Sequence, residues 1–497
     1  MTRAGTAAGL AVLLVLVTAG ARGGAAGTAR SGGRLAVGYT SAAALTRALA
    51  GTSAVVVRDL AALRVAEVRG IGVRGGGRDA LRTRPGIRFV ERLSPRASAA
   101  EPAIGGPSAV PEWQFHATAA DAVPDAILRS AAAVTIAVID TGADVTAPDL
   151  AAKAPVTWNT RTRSADVRDT NGHGTFVASL AAGSVTNGDG IAGAGGDAQL
   201  LVLKSGSDGG SFTDVDEAAG IIYAVDHGAR ILNLSVGGPS TSTTERRAVQ
   251  YAVDHGALVV AAVGNEHGSG NPVEYPAALL QPVGSDGVGG AGLAVTASTA
   301  DGRRASFANT GSWISIAAPG DRVFGAISQA SSPLLYPRTT LPGAQSGLYG
   351  YGSGTSFAAP QVAGAAALVW AANPSLTAAQ VAQILKETAS GGGRWTSDLG
   401  FGVVDVGAAV ARAQANSAGV LLSGLRSKSR VRLNWSGDAA SYTLTLATDY
   451  RSVKTVLRGT RQTSTSLALT KGHTYAFRVD ALDAGGAVVA TSTVVLR

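Results

Sequence analysis

Three residues whose side chains cooperate in nucleophilic catalysis stand in separate motifs of this 497-residue chain. Asp140 follows the apolar run VTIAVI, His173 lies between two glycines in NGHGTFVA, and Ser356 opens an apolar stretch in GTSFAAP. A serine hydroxyl becomes a nucleophile when a histidine takes its proton and a carboxylate orients that histidine. A serine at a helix start also lies beside unpaired N–H groups, which suit an oxyanion. The three residues together predict acyl transfer through a covalent serine intermediate.

Each of these residues alone has a simpler interpretation. A serine near a helix start is usually a cap, a buried aspartate is often a turn former, and a histidine is often a packing residue. The three occur in the order Asp, His, Ser, each at a predicted strand end or helix start, and this combination favours catalysis. The chain has no serine with glycine two residues before and two after it, which excludes the nucleophile elbow of α/β-hydrolases.

A second Asp–His pattern, the hexapeptide AVDHGA, occurs at residues 224–229 and again at 252–257. Neighbouring residues on a helix point in different directions, so an adjacent Asp and His are poorly placed to act as a bonded pair. Each copy ends an amphipathic stretch, and we expect Gly228 and Gly256 to follow the helix ends as C-caps. The repeat therefore predicts two helix-to-strand joints, not a catalytic pair.

The elements that must position the reactive residues form an alternating pattern between about 112 and 415. Apolar runs of strand length alternate with helical stretches; the runs are 134–140, 198–205, 229–236, 257–264 and 293–298. Continuous apolar strands between helices are typical of a parallel sheet covered on both faces. The sequence predicts an α/β fold of this kind, in which 359–372 is a buried helix.

These motifs resemble those of the subtilisin-like serine proteases, the subtilase or peptidase S8 family. VIDTGAD, NGHGTFVA and GTSFAAP resemble the family's Asp, His and Ser motifs, and VVAAVGNE resembles its oxyanion motif. The resemblance covers about 112–415 and implies the subtilisin-like fold. Phe357 departs from the family, in which many members have methionine; it takes no part in proton transfer, so we expect little loss.

The resemblance implies a role for each matched residue. Ser356 would be the nucleophile, His173 the general base and acid, and Asp140 the residue that orients the histidine. Asn265 would donate its side-chain N–H to the oxyanion, although alone it reads as a turn residue. The segment LSVGG, 234–238, resembles the strand that pairs with extended polypeptide substrates; its binding residues are Ser235, Val236 and Gly237.

The resemblance also implies that two glutamates line the substrate-binding cleft. Glu266 comes after the oxyanion motif, and Glu274 lies in NPVEYPA, a segment that lines the base of the family's pocket for the residue before the scissile bond. Carboxylates there would favour arginine or lysine. The alternative is that both are solvated surface glutamates.

A structural calcium ion is a further expectation of the resemblance, although the chemistry requires no cofactor. Asp149 and Asn187 match positions that often hold calcium in the family, and oxygen ligands on a glycine-rich loop suit that ion. The alternative is that these loops, rich in Asn, Asp and Gly, are ordinary turns.

The segments before and after the predicted catalytic domain have patterns of their own. Residues 1–21 have the pattern of a secretory signal peptide, with Arg3 before an apolar stretch and a small-residue cleavage site at 19–21. Residues 22–104 resemble an inhibitory and folding-assisting propeptide, followed by the catalytic domain, 105–415. A Pro/Gly/Ala-rich linker is expected over 94–111. Residues 419–497 alternate polar and apolar positions and resemble a fibronectin type III β-sandwich.

Composition limits the partners. The chain has no cysteine, which excludes disulfides, thiol nucleophiles and cysteine-bound metals. Its net charge of +8 divides into +10 for 1–104, −9 for 105–418 and +7 for 419–497. The acidic middle argues against a nucleic-acid partner and suits attraction to the basic N-terminal part. The basic C-terminal part could dock on an anionic surface. We expect no transmembrane anchor.

Together these features predict a secreted, extracellular serine endopeptidase that hydrolyses peptide bonds through an acyl-enzyme and is made as a self-processed zymogen. The alternative is a catalytically silent protein that keeps the fold and uses its β-sandwich for adhesion. The intact set of Asp140, His173, Asn265 and Ser356 favours the enzyme.

Overall fold

The computed structural model describes residues 33–71, 77–98, 112–333, 336–339, 348–415, 420–427, 429–437, 439–449 and 452–496. The predicted signal peptide and most of the predicted linker lie outside these residues. We refer to the described parts before residue 99 as the N-terminal unit, those of 112–415 as the central unit and those of 420–496 as the C-terminal unit.

The N-terminal unit is a small antiparallel sheet with two helices and one departing strand. Its elements are β1 (Leu35–Tyr39), α1 (Ala42–Leu49), β2 (Val55–Leu60), β3 (Val65–Arg69), α2 (Gly77–Arg82), β4 (Ile87–Arg92) and β5 (Pro95–Ser98). The sheet has the order β2-β3-β1-β4. Strand β5 leaves this sheet and pairs with the central unit.

The central unit alternates strands and helices over its described length. Its elements are α3 (Trp113–Ala117), α4 (Asp125–Ser130), β6 (Thr135–Asp140), α5 (Pro148–Ala151), β7 (Val156–Asn159), α6 (His173–Ala182), β8 (Gln199–Lys204), β9 (Ser211–Thr213), α7 (Asp214–Asp226), β10 (Ile231–Leu234), β11 (Val236–Gly237), α8 (Thr243–Asp254), β12 (Leu258–Ala262), α9 (Ala277–Leu280), β13 (Gly292–Ser298), β14 (Ile316–Pro319), β15 (Val323–Ala326), β16 (Arg338–Thr339), β17 (Tyr349–Gly352), α10 (Thr355–Ala372), α11 (Ala378–Thr388) and α12 (Val406–Ala415).

A parallel sheet of the order β14-β13-β12-β10-β6-β8-β7 forms the core of the central unit. Its strands are apolar on both faces, which agrees with the predicted fold class, and helices cover both sides. The predicted helix at 359–372 belongs to α10, which is buried through nearly its whole length and packs against β10, β12 and β13. The apolar strand pattern therefore identified the sheet correctly.

The AVDHGA repeats lie at the ends of α7 and α8, as predicted. Gly228 and Gly256 follow the two helices with φ of +79° and +76°, a left-handed conformation that glycine adopts without strain. His227 and His255 are the C-caps, and the Nδ1 of each lies 2.8 Å from a backbone carbonyl of its own helix. Neither histidine takes part in the candidate site.

The N-terminal unit packs on α7 and α8. Apolar side chains of both units share one buried cluster; from the N-terminal unit these are Ala36, Leu60, Leu63, Val65 and Leu93. Arg58 forms an ion pair with Asp216 at 3.0 Å, and Glu91 accepts hydrogen bonds from the N–H and hydroxyl of Thr243 at the start of α8. The opposite charges predicted for these two parts therefore meet in direct contacts.

The C-terminal unit consists of two antiparallel sheets with a shared apolar core. Its strands are β18 (Val420–Ser427), β19 (Arg430–Gly437), β20 (Ser441–Thr448), β21 (Ser452–Thr460), β22 (Ser464–Ala468), β23 (Tyr475–Leu482) and β24 (Val488–Leu496). The sheet orders are β18-β19-β22 and β21-β20-β23-β24. Trp435, Tyr475 and Phe477 lie in the core between them. Within the described residues, no helix has the length and apolar character needed to cross a membrane.

Candidate active site

Asp140 and His173 form a buried pair at the carboxyl end of β6. The Nδ1 of His173 lies 2.7 Å from the Oδ1 of Asp140, which also accepts the N–H of Thr141 at 2.7 Å. The close approach of α6 to β6 depends on Gly174, because a Cβ there would lie 2.1 Å from the carbonyl oxygen of Gly142. The contact between Asp140 and the Nδ1 of His173 orients the histidine ring so that its Nε2 lies on the side away from the aspartate.

Asp169, which sequence analysis missed, holds this pair in place. Its Oδ1 accepts the hydroxyl of Thr141 at 2.9 Å and the N–H of Gly172 at 2.8 Å. Its Oδ2 accepts the N–H and the hydroxyl of Thr175 at 2.8 and 2.6 Å. One carboxylate thus ties the loop after Asp140 to the first turn of the helix that carries His173. An aspartate a few residues before a predicted helix was the available sequence signal.

Ser356 is the second residue of α10, where backbone N–H groups lack partners within the helix. Its hydroxyl donates to the carbonyl of Ser235 at 3.2 Å, and its own carbonyl accepts the Ser235 hydroxyl at 2.7 Å. The second bond has a local cause: Pro360 has no N–H to donate to that carbonyl, which leaves it to Ser235. Pro360 is the sixth residue of α10 and lies in its second turn.

Two neighbours fix the surroundings of Ser356. Asn265 accepts the N–H and the hydroxyl of Thr355 on its Oδ1, both at 2.9 Å, which turns its amide nitrogen toward the chain around Gly354. Phe357 is fully buried, and its ring centroid is 5.6 Å from that of His173. The amide orientation suits a donor to an oxyanion on Ser356, and the phenylalanine packs against the histidine without a polar role.

The segment after β10 is already paired with an extended strand. Val236 and Gly237, which form β11, pair antiparallel with Ser98 and Ala97 of β5. On its other side β5 pairs with β9, so the order is β11-β5-β9. The linker prediction is wrong for residues 95–98, because their pairing uses main-chain groups that the proline, alanine and serine composition does not reveal. The sequence LRTRPGIRFVERLSPR, 81–96, also resembles the strand and tail of a propeptide that approach the active site, and its last two residues lie in β5. Part of the chain itself lies where the predicted substrate strand would bind.

Glu274 and Glu266 lie together beside this strand. Glu274 is 7% exposed, so it is not a surface glutamate, and a Cβ on Gly237 would lie 2.7 Å from its Oε2. Glu266 is partly buried and its Oε2 accepts the N–H of Asn265 at 2.7 Å. Burial, followed by repulsion from Glu266, raises the pKa of Glu274 to about 8. The Glu274 carboxyl is therefore mostly protonated at pH 7.

Asp149 and Asn187 also lie together, on the far side of α6. The buried Oδ1 of Asp149 accepts the amide of Asn187 at 3.3 Å and the N–H of Ile191 at 3.0 Å, and its Oδ2 accepts the hydroxyl of Tyr349 at 3.1 Å. Burial raises the pKa of Asp149 to about 6, a cost that a bound cation would offset. Among the described residues, no group of three or more acidic, histidine or cysteine side chains is arranged to hold a metal ion. Calcium binding stays a prediction.

Sequence analysis also missed a buried arginine in β5. The Arg96 side chain is enclosed between α7 and α8, where Glu217 and Glu245 approach its guanidinium. The two glutamates are on separate helices and Arg96 is on a third segment, so no local motif contains them.

Comparisons with known proteins agree with this geometry. The sequence model of the subtilase family, peptidase S8, matches residues 131–402. The chain is 36% identical over 263 residues to the thermophilic serine proteinase of Bacillus sp. (strain AK1), covering 53% of this chain and 58% of that protein. It is 33% identical over 255 residues to thermitase of Thermoactinomyces vulgaris, covering 51% of this chain and 80% of thermitase.

A solved structure extends the likeness of the fold. Fervidolysin from Fervidobacterium pennivorans, a keratinolytic enzyme related to subtilisin, superposes with a TM-score of 0.64 at 23% identity over 94% of this chain and 76% of its own. The family match covers more than half of the 497 residues and includes the segments that carry Asp140, His173, Asn265 and Ser356. The chain belongs to the subtilase family.

Proposed function

We propose that this protein is a serine endopeptidase that cleaves extended polypeptides through an acyl-enzyme on Ser356. The observation that carries the proposal is the 2.7 Å contact between Asp140 and His173 beside a serine at a helix start. Silent adhesion is the weaker candidate, since a binding protein does not need this buried ionisable pair.

The reaction follows from the groups in the site. The Oγ of Ser356 forms a bond to the substrate carbonyl carbon while its proton passes to the Nε2 of His173, and Asp140 stabilises the resulting imidazolium. The carbonyl oxygen becomes an oxyanion that accepts hydrogen bonds from the Asn265 amide and the first turn of α10. One such donor contributes about 10²–10³ in rate, as in subtilisin.

The second half of the reaction releases the products. The imidazolium of His173 gives its proton to the leaving amine as the C–N bond breaks. Water then attacks the acyl-enzyme with the same histidine as its base, which frees the acid product and restores the Ser356 hydroxyl. Ser235, Val236 and Gly237 hold the substrate main chain by strand pairing.

The N-terminal unit is proposed to be a propeptide that the enzyme removes from itself. The pairing of β5 with β11 and β9 supports this, because the segment before the cleavage site then occupies the substrate strand's position. A product-like strand in this position blocks other substrates. Secretion after removal of residues 1–21 remains part of the same proposal.

The experiment is expression of the full chain and of its Ser356→Ala variant in a host without other extracytoplasmic proteases. The wild-type chain is expected to appear as two fragments cut between residues 96 and 111, and the variant as an uncut precursor. A Ser356→Ala chain that is cut at the same bond at the wild-type rate would contradict self-processing.

Two further roles are proposed on narrower support. The C-terminal unit would be a fibronectin type III-like module that docks on anionic surfaces; exposed Arg430, Lys454 and Lys471 support this. A calcium ion at Asp149 and Asn187 would be structural, and a melting temperature that falls when a chelator is added would support it. Neither role enters the chemistry on Ser356.

A further inference from the structure

The enclosed arginine of β5 lies in a pocket lined by carboxylates of the central unit. The side chains of Arg96, Glu217 and Glu245 are all 0% exposed. The Nη2 of Arg96 lies 2.8 Å from the Oε2 of Glu245, and its Nε donates to the Oε1 of the same residue at 3.3 Å. The Oε2 of Glu217 lies 3.4 Å from Nε. A single guanidinium therefore faces two fully buried carboxylates.

A third acidic residue borders the same space. Asp214, the first residue of α7, is buried and accepts the N–H of Ser94 on its Oδ1 at 3.0 Å. Its charge and those of the two glutamates exceed the single charge of Arg96. Glu217 accepts no hydrogen bond of normal geometry from the described residues. Burial and the neighbouring Glu245 raise the pKa of Glu217 well above its usual range. These carboxylates are costly to bury unless a cation is bound between them.

The carboxylates belong to the central unit, whereas the arginine belongs to the segment in the substrate strand's position. When the N-terminal unit leaves, the pocket loses its cation and keeps its acidic groups. The main-chain pairing of β5 with β11 does not depend on side-chain identity, so another peptide can take the same path. The side chain of that peptide at the Arg96 position then enters the acidic pocket.

The register of β5 relates this pocket to the nucleophile. Ala97 pairs with Gly237 and Ser98 with Val236, so in antiparallel pairing the next substrate residue lies opposite Ser235. The carbonyl of Ser235 is 3.2 Å from the Oγ of Ser356. The residue opposite Ser235 is therefore the one whose carbonyl is attacked, and the Arg96 position lies three residues before it.

We propose that Glu217 and Glu245 form an arginine pocket that selects substrates with arginine three residues before the residue whose carbonyl Ser356 attacks. The proposal rests on the proposed peptidase function. In the chain's own sequence this rule reads Arg96-Ala-Ser-Ala99, and it assigns the self-cleavage to the bond between Ala99 and Ala100.

The geometry favours arginine over lysine. Glu245 contacts both Nε and Nη2 of the guanidinium, and Glu217 approaches Nε from the other helix, so the two carboxylates use several donors of one planar group. An ammonium group is a compact charge and would reach both carboxylates less well. This pocket is separate from that of Glu274, which lies beside Gly237 and would receive the side chain of the attacked residue itself.

The test uses mature enzyme prepared from the full chain and internally quenched peptides of sequence Pro-X-Ala-Ser-Ala-Ala-Glu, in which X is arginine, lysine or leucine. The arginine peptide is expected to have a kcat/KM at least about 30-fold above that of the leucine peptide. The kcat/KM of the lysine peptide should lie between those of the other two. Mass spectrometry should show cleavage after the Ser-Ala pair. Equal kcat/KM for arginine and leucine would overturn the pocket proposal while leaving the peptidase function intact. No hydrolysis of any peptide would overturn both.

A double variant links the preference to the two residues. Glu217→Gln with Glu245→Gln keeps the shape of both side chains, and we expect the ratio of kcat/KM for the arginine peptide to that for the leucine peptide to fall toward one. Glu387→Gln removes a buried glutamate of α11, outside the cleft, and should leave the ratio unchanged. A double variant that retains the wild-type ratio would overturn the assignment. If the double variant does not fold, the wild-type peptide series still decides the proposal.

Discussion

Two buried carboxylates, Asp169 and Glu217, differ in the partners that compensate for their burial. Asp169, beside the catalytic pair, accepts four hydrogen bonds from backbone and threonine donors. Glu217, beside the arginine pocket, makes a charge contact with Arg96 and accepts no hydrogen bond of normal geometry within the described residues. The first group is held by its own unit and can position other residues. The second depends on a cation from another segment, which is what a specificity pocket requires.

Removal of the charge on Asp169 should give the largest effect. In Asp169→Asn one carboxylate oxygen becomes an NH2 group that faces two donors and cannot accept from them, and we expect a loss of about 2–4 kcal/mol in the free energy of unfolding. Because the same group ties Thr141 to the start of α6, kcat should also fall. Chemical denaturation and peptide hydrolysis measure both effects. A variant as stable and as active as the wild type would contradict the positioning role.

The Glu274 pocket should make the preference at the attacked residue depend on pH. With a pKa of about 8, raised by burial and by Glu266 and lowered by the positive charge of Arg96 in the precursor, Glu274 is mostly neutral at pH 7 and ionised at pH 9. The kcat/KM ratio for arginine over leucine at that residue should rise about tenfold over this range. Taking the ratio removes any pH effect on the chemical steps that the two peptides share.

Two outcomes decide the Glu274 prediction. In Glu274→Gln the rise of the ratio between pH 7 and pH 9 should be lost, since the carboxyl group with the raised pKa is gone. If the wild-type ratio of kcat/KM for arginine over leucine stays constant or falls as pH rises, Glu274 does not bind a basic side chain of the substrate.

The smallest effect is expected from Glu217→Gln in the uncut Ser356→Ala precursor, compared with the same precursor that carries Glu217. The pKa of Glu217 is raised in the folded state, so its protonated form stabilises the fold at low pH. This contribution to the free energy of unfolding is lost as pH rises through the folded-state pKa. Glutamine mimics the protonated form and should stabilise the precursor by about 1 kcal/mol at pH 8, with no gain below about pH 4. A glutamine variant that is less stable at pH 8 than the precursor carrying Glu217 would show that the Glu217 carboxylate stabilises the fold, as Asp169 does. The contrast between the two carboxylates would then not hold.

The reacting residues were accessible to sequence analysis because each lies in a short motif with its own local signal. Asp140 ends an apolar strand, and His173 and Ser356 open helices, so chain order and element type together indicated one site. The parallel sheet was predictable for a similar reason, since its apolar runs are continuous.

The arginine pocket was not predictable from such signals. Arg96 and Glu245 are 149 residues apart and meet only because β5 adds to an edge beside β11. One sequence feature was available: Glu217 falls at helical spacing between Asp214 and Ile221 on the buried face of α7, where an acidic residue is unusual. The same applies to Glu245 on the buried face of α8.

The most direct test of the central claim, that Ser356 is an activated nucleophile, is labelling of the mature enzyme with a fluorophosphonate followed by peptide mapping. The account predicts one stoichiometric adduct on Ser356 and loss of peptide hydrolysis, with no adduct in the Ser356→Ala precursor. Mature protein that stays unlabelled, or that carries the adduct on another serine, would contradict the claim and favour a binding protein with this fold.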